Sequence, residues 1–396
     1  MRIVIANHEF RAHFPARIKY LHDYLTSLGH ELYVIELYGI SICYQFSDDH
    51  DFSDDYWEIL FPGQKAGMVS SRKVNKLLVE RLDEINPDVV VAGIPTFPVG
   101  IVSLRWAKSH KKAIVHFGDA KKETFKHSRL VHEIKRMLFR NAEAFIAPAP
   151  SWEDSMTFWG FNKDEIFYGL DVANNKEWEG ELVNTQFKYL PSEYIVNCCR
   201  QVSMKNLPFL LEAYKQYVNE GGSLPLLMVG EGIMHEELVA AVNGNRNIVF
   251  LPFLTHSQMR EVFSQMKALV VPSFKEETWG ITVNEAMAAS RIAAVSTEVG
   301  CASTLIEDGI NGYVFSPHNQ QELVDVFHKI ESLDSSRLEV MRRNAYNKIQ
   351  EWNVDRFAEE TLNACQYAVS HKKKIHNIFD YILIKLWRGR MTIKNE

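Results

Sequence analysis

The sequence has no window of ~18 consecutive apolar residues, so no helix-spanning membrane segment is expected. Its start, Met1-Arg2-Ile3-Val4-Ile5-Ala6-Asn7-His8-Glu9, breaks after about four apolar residues, short of the ~7–15 of a signal-peptide core. Strong charge of one sign is also missing. Against 50 Asp and Glu stand 44 Lys and Arg, a net charge of −6, which gives no global attraction to nucleic acid or anionic lipid. The five cysteines, Cys43, Cys198, Cys199, Cys301 and Cys365, include no C-x-x-C pair, which argues against a zinc ribbon or a disulfide framework and for a reducing cytosol. G-x-G-x-x-G is absent, which disfavours nicotinamide and flavin binding. What remains is a chain of 396 residues, 46% apolar and 24% charged, an ordinary globular composition sufficient for two or three domains.

Short β-branched runs alternate with longer helical patterns, the signature of βαβ units on parallel sheets. Strands are expected at Arg2–Ala6, Glu31–Glu36, Asp88–Ala92, Ala113–His116 and Ala144–Ala147, with helices at 16–28, 98–109, 129–140 and 151–159. The pattern lapses near 168–193 and resumes at Tyr194, where strands (194–198, 225–229, 247–251, 268–272, 292–295) alternate with helices (206–219, 234–243, 257–266, 281–290). These boundaries predict an α/β protein: an N-terminal domain over 1–170, a C-terminal domain over 171–350, and a helical segment, 351–396, returning toward the first domain. The loop from Phe46 to Trp57 contains Asp49-His50-Asp51, literally D-x-D; a solvated acidic loop is preferred over a metal–nucleotide site.

The segment Pro272 to Ala288 carries the strongest chemical pattern. A strand ends, a polar loop turns at Gly280, and a helix begins, with Glu277 and Glu285 eight positions apart. Such a loop presents backbone N–H groups and the positive end of a helix dipole, a setting for a diphosphate, while carboxylates suit neutral hydroxyls. Glu285 would alternatively serve the helix dipole from the first turn. Arg200 follows a buried strand and Lys205 opens the next helix, so a guanidinium and an ammonium there suit a leaving diphosphate, with a surface salt bridge as the alternative. His116 ends a buried strand before Phe117-Gly118-Asp119, where open α/β sheets bind ligands, unless the imidazole is structural and Asp119 a helix cap.

These residues resemble the glycosyltransferase family 4 group of GT-B enzymes. Glu277 and Glu285 followed by Ala286-Met287-Ala288 fit its E-x7-E hallmark, Arg200 and Lys205 its R-x4-K pair, Val229-Gly-Glu-Gly232 its glycine turn, and Leu305–Phe315 its closing strand and turn. The resemblance covers roughly 190–365. It departs at Ala289-Ser290-Arg291-Ile292, where Cys-Gly-x-Pro is usual, at Gly300–Thr304 in place of Gly-Gly-x-x-Glu, and after the first strand, where a double glycine is replaced by Asn7–Pro15.

The resemblance implies two Rossmann-like domains facing across a cleft and a retaining, front-face, metal-independent transfer from a nucleotide-sugar. UDP is favoured, and the acceptor would be a saccharide or lipid-linked saccharide of surface-glycan synthesis. It implies that His116 and Glu277 touch the donor sugar, that Arg200 and Lys205 meet the diphosphate, and that Glu285 holds the ribose. Gly230, Glu231, Phe253, Leu254, Thr278, Trp279, Gly280, Ile281 and Thr282 would complete the donor site. His8, Arg11, His13 and Asp119 are candidates for the acceptor side. Rival readings are a GT-B epimerase or phosphorylase and a non-catalytic sugar-nucleotide-binding subunit. Two basic regions, 121–140 and 372–394, the latter interleaved with Ile378, Phe379, Ile382 and Trp387, suit the anionic inner leaflet of a cytoplasmic membrane, with a solvated helix face or a tail packed on the other domain as the alternative.

Overall fold

The computed structural model describes residues 1–41, 54–180, 187, 190–242, 245 and 247–390; Cys43, Asp49, His50, Asp51 and the last six positions lie outside them. The chain forms two compact units, Met1–Val172 with Val354–Glu396, and Ala173–Asn353.

The first unit alternates β1 (Arg2–Asn7), α1 (Phe14–Ser27), β2 (Glu31–Ile40), β3 (Trp57–Lys65), α2 (Ser71–Ile85), β4 (Val89–Gly93) and α3 (Pro98–His110). It continues through β5 (Ala113–Phe117), α4 (Arg129–Phe139), β6 (Ala144–Ala147), α5 (Glu153–Trp159) and β7 (Ile166–Tyr168). All seven strands are parallel, in the order β3-β2-β1-β4-β5-β6-β7. Every residue of β4, β5 and β6 is buried, which explains their uninterrupted apolar runs. Strand β3, at the edge, carries Pro62 and Gly63 and exposes half its length, so its sequence gives little strand signal. Helix α2, also unanticipated, opens where the Ser70 hydroxyl accepts from the Lys73 N–H and stops at Asn86, whose φ is +46°.

The second unit runs β8 (Tyr194–Cys198), α6 (Leu207–Asn219), β9 (Leu226–Val229), α7 (His235–Ala241), β10 (Ile248–Leu251), α8 (His256–Gln265) and β11 (Met266–Val271). Then follow α9 (Ile281–Ala288), β12 (Ile292–Ser296), α10 (Ala302–Leu305), β13 (Gly312–Phe315), α11 (Gln320–Ser332) and α12 (Ser335–Ile349). Its six parallel strands are ordered β10-β9-β8-β11-β12-β13. Leu210, Tyr214, Tyr217 and Phe327 fill the layer between this sheet and helices α6 and α11. Each sheet reverses its winding once, between β1 and β4 and between β8 and β11, and such a reversal opens a crevice at the carboxyl ends of the strands.

Helix α13 (Val354–Ser370) returns to the first unit and packs on α1 and on β5, β6 and β7; α14 (Ile378–Leu386) then packs on α3 and α4. Asp380, fully buried, holds α14 in place. Its carboxylate accepts from Arg140 Nε at 2.8 Å, Arg140 Nη2 at 2.6 Å and Asn141 Nδ2 at 2.9 Å. The His376 N–H returns a bond to Asn141 Oδ1 at 2.9 Å, and Arg105 Nε donates to the Ile384 carbonyl at 3.0 Å. Asp380→Ala strips Arg140 and Asn141 of this partner and is expected to weaken docking of α14 by about 2–4 kcal/mol. Hydrogen exchange checks this: amides of 376–388 should exchange faster while those of β4 and β5 are unchanged, and unaltered exchange in α14 would refute the role.

Candidate functional site

Side chains from both sides of the β8/β11 reversal meet in the second unit. After β8 the chain passes through Cys199-Arg200-Gln201 and a single 3₁₀ turn, Ser203–Lys205, ending at Asn206 with φ +53°. Asn206 Nδ2 donates to the carbonyls of Pro272 (3.3 Å) and Pro317 (3.2 Å), and the Phe274 N–H donates to the Met204 carbonyl at 3.0 Å, so the loops after β8 and β11 are fastened together. Lys205 Nζ and Glu277 Oε2 form an ion pair there, and Ser273 Oγ donates to the same carboxylate oxygen at 3.4 Å. Both charged side chains are largely buried, and burial lowers the Lys205 pKa.

The loop carrying Glu277 is pinned through its backbone. The Gly300 N–H donates to the Glu277 carbonyl at 3.0 Å and the Cys301 N–H to the Trp279 carbonyl at 2.9 Å, so Gly300-Cys301 keeps a well-bonded turn despite its departure from Gly-Gly. Gly280 opens α9 at φ +93°, where a side chain would meet Val299 Cγ1 at 2.8 Å. By helix geometry the N–H groups of Ile281 and Thr282 lie in the first turn, without intrahelical acceptors. Trp279 turns inward: 3% exposed, it donates from Nε1 to Asn284 Oδ1 at 2.8 Å, so its indole is core rather than the ligand contact expected from the sequence.

Glu285 also differs from one expectation. It lies in the second turn of α9, not the first, and is buried, so it does not simply complement the helix dipole. Burial, with a smaller contribution from Glu177, pushes its pKa up to about 8, which keeps the carboxyl protonated near neutral pH. Burial likewise raises both neighbouring thiols, Cys199 to about 11 and Cys198 further, so neither is a thiolate nucleophile.

Gln201 received no role from its sequence, yet it organises the glycine turn after β9. Buried at 1% exposure, it donates from Nε2 to the Gly230 carbonyl (2.6 Å) and from its N–H to the Glu231 carbonyl (2.8 Å), while Oε1 lies 2.8 Å from His235 Nδ1. Gly230, at φ +116°, tolerates no Cβ, which would sit 2.2 Å from the Cys199 carbonyl oxygen. The Phe253 ring, 38% exposed, lies against Gly230; Leu254 is half-buried and Glu231 exposed.

In the first unit the candidates separate. His116 is 0% exposed on β5, its Nδ1–H shared between the Ala92 (3.2 Å) and Gly93 (2.9 Å) carbonyls and its ring 6.3 Å from Phe139. Burial holds its pKa down at about 4, so it is neutral. The ring is enclosed in this structure, and its Nε2 has no hydrogen-bond partner among the described residues. Arg11 is also withdrawn: its guanidinium pairs with the buried Glu36 carboxylate at 2.6 Å and donates to the Gly39 carbonyl at 2.7 Å, so it is a core ion pair rather than an acceptor contact. His8 packs edge-on against Phe97 at 5.9 Å and is neutral, burial lowering its pKa to about 4; His13 stands at the N-cap position of α1 without a side-chain cap bond, and Asp119 follows β5, half-buried. Asp171, unremarked in the sequence, pairs with Arg17 at 3.2 Å; burial pushes its pKa up to about 7, Arg17 opposes this, and Asp119 adds to it.

Residues 181–348 match the family described as glycosyl transferases group 1. That match lies within the second unit and covers less than half of the chain. Over 206 residues the chain is 25% identical to poly(ribitol-phosphate) alpha-N-acetylglucosaminyltransferase of Staphylococcus aureus, the match covering 49% of this chain and 41% of that protein. Matches to curated relatives span only 41–47% of their lengths. Among solved structures, a glycosyltransferase of Rickettsia africae superposes with a TM-score of 0.73 at 14% identity, covering 93% of this chain and 98% of the other. Anabaena HepE in complex with UDP and glucose gives 0.69 at 14% identity, covering 92% and 99%. The fold is GT-B, built from two Rossmann-like units.

One departure from the family pattern yields a stability test. Ser290, where glycine is usual, closes α9 at φ +56° in a Schellman cap: its N–H donates to the Met287 carbonyl (3.0 Å) and that of Arg291 to the Ala286 carbonyl (2.8 Å). Ser290→Gly should relieve the left-handed strain, stabilising the second unit by about 0.5–1 kcal/mol and raising its unfolding midpoint by about 1–4 °C in calorimetry. A lowered midpoint would contradict this account of the cap.

Proposed function

We propose that the protein is a retaining glycosyltransferase that moves a sugar from a nucleotide-sugar, with UDP as the favoured nucleotide, to a saccharide or lipid-linked saccharide in cytoplasmic surface-glycan synthesis. The observation that carries this reading is the Lys205–Glu277 pair at the β8/β11 reversal, in the loops that hold Arg200 and the start of α9. Support comes also from the S. aureus relative, named as an N-acetylglucosaminyltransferase, and from HepE, whose structure holds UDP and glucose.

In this reading Arg200, Lys205 and the first-turn amides of α9 meet the charge that develops on the diphosphate as its bond to the anomeric carbon breaks. Glu277 holds a donor-sugar hydroxyl, and a competing diphosphate draws the Lys205 ammonium from it. Glu285, protonated near neutral pH, both donates to and accepts from ribose hydroxyls. The acceptor hydroxyl attacks from the side the diphosphate leaves, and its proton passes to the departing phosphate oxygen. No protein nucleophile and no divalent metal take part. The acceptor is assigned to the first unit, with His8, His13 and Asp119 as contacts; Arg11 is left out because it is held in the buried pair with Glu36, and His116, whose buried Nε2 has no hydrogen-bond partner among the described residues, is kept as a donor-sugar contact.

Arg200→Ala and Lys205→Ala should each lower turnover by on the order of 10²-fold, read as nucleotide release from a panel of nucleotide-sugars with and without saccharide acceptors. Turnover within about threefold of wild type for both variants would overturn the assignment. Product formation without any acceptor would identify an epimerase or phosphorylase instead. In the same assay activity is expected to survive excess EDTA; loss on chelation with recovery on adding Mg²⁺ or Mn²⁺ would remove the metal-independent step.

A further inference from the structure

We infer that the outward face of α14 is a docking surface for an anionic bilayer. A surface helix ordinarily buries its apolar stripe and exposes polar residues. Helix α14 does the reverse. Its buried positions are Asp380 (0%) and Ile384 (3%), whereas Ile378 (62%), Phe379 (69%), Tyr381 (46%), Ile382 (47%) and Leu386 (70%) are exposed. Ile378, Ile382 and Leu386 recur at i, i+4 and i+8, a single ridge opposite Asp380, and Phe379 and Tyr381 flank it.

Charge selects the occupant. Lys372, Lys374, Lys385, Arg388 and Arg390 are exposed around this helix, while the one acid between 371 and 390, Asp380, is buried on Arg140 and Asn141. Within 371–390 the exposed charges beside this apolar ridge are all cations, which complements anionic headgroups over an acyl boundary. A second copy of the same face would set like charges against each other. The helix has nine residues, about 14 Å, so it lies along the interface; among the described residues no helix is long and apolar enough to cross a membrane.

The structure also weighs the two basic regions against each other. In 121–140, Arg140 is committed to Asp380, and Lys121, Lys122 and Lys135 lie over the rings of Trp152, Phe158 and Trp159 at 4.2, 5.5 and 5.4 Å. In the tail Lys373 is paired with Glu165 at 2.6 Å, but the cations around α14 accompany the exposed apolar ridge. The 121–140 segment also exposes Phe125, Leu130 and Val131, but among both cations (Lys126, Arg129, Arg136) and acids (Glu123, Glu133), whereas the exposed charges of 371–390 are cations alone, and the proposal therefore rests on α14.

Co-sedimentation of the full chain with phosphatidylcholine vesicles, with and without phosphatidylglycerol, tests the inference without requiring turnover, so its failure is distinguishable from failure of the transferase reading. Wild type should bind the phosphatidylglycerol vesicles and release as salt rises to ~1 M, where the Debye length is about 3 Å. The variant F379S/I382S/L386S changes exposed positions only and, with an unchanged circular dichroism spectrum and unfolding midpoint, should bind about 100-fold more weakly. The variant K385Q/R388Q should bind about tenfold more weakly or less tightly still. Wild type remaining in the supernatant, or equal binding by wild type and the triple variant, would overturn the proposal. So would self-association in analytical ultracentrifugation that the triple variant abolishes without lipid present.

Discussion

A buried ammonium must have a partner, and at the β8/β11 reversal the partner of Lys205 comes from a loop more than seventy positions away in the chain. The pair forms only if the parallel sheet is wound so that the segments following β8 and β11 leave from adjacent strand ends. Once they do, short backbone bonds fix the loops: Phe274 to Met204, Asn206 to Pro272 and Pro317, Gly300 to Glu277. Replacing either charge leaves its counterpart uncompensated in a largely dry setting, which costs more than the pair itself contributes. The arrangement is therefore kept charged and close.

Backbone conformation sets how closely anything else can approach. Gly230 sits against the Cys199 carbonyl and Gly280 against Val299, and in both places a side chain would force the loops apart. Ser290 adopts the same left-handed region without the freedom of glycine and is tolerated because two cap hydrogen bonds over-determine it. Gln201 works in the opposite sense: its buried side-chain amide and its backbone together tie the segments after β8 and β9 beyond the end of the sheet.

The first unit spends its buried charge differently. Arg11 pairs with Glu36 within β2, Arg17 with Asp171 just beyond β7, and Arg140 with Asp380 fastens α14. In each case a charged side chain that reads as surface in the sequence is turned inward by a partner distant in the chain. Helix α14 shows the reciprocal effect. With Asp380 taken by Arg140 and Asn141 on the inner face, the ridge Ile378, Ile382 and Leu386 is left outside, while Ile384 packs inward.

Strand–helix alternation, the reversal from apolar run to polar loop at Gly280, and the placing of Arg200, Lys205, Glu277 and Glu285 beside strand ends follow from local chemistry, since period, turn residues and caps act over a few positions. The strands it left unread, β3 and β7, are an edge strand with proline and glycine and a strand of three residues, each too weak a local signal. What only the tertiary structure decided is the direction each polar side chain takes. His116 at a strand end was legible, but its enclosure beneath Phe139 was not; E-x7-E placed Glu285 on α9, but only packing withdrew it from water. The ridge of α14 was visible as an apolar repeat, yet periodicity gives a helix its faces without saying which of them the rest of the chain will cover. That choice belongs to Arg140 and Asn141, some 240 positions earlier, because a buried carboxylate is held by whichever donors the fold brings within 3 Å of it.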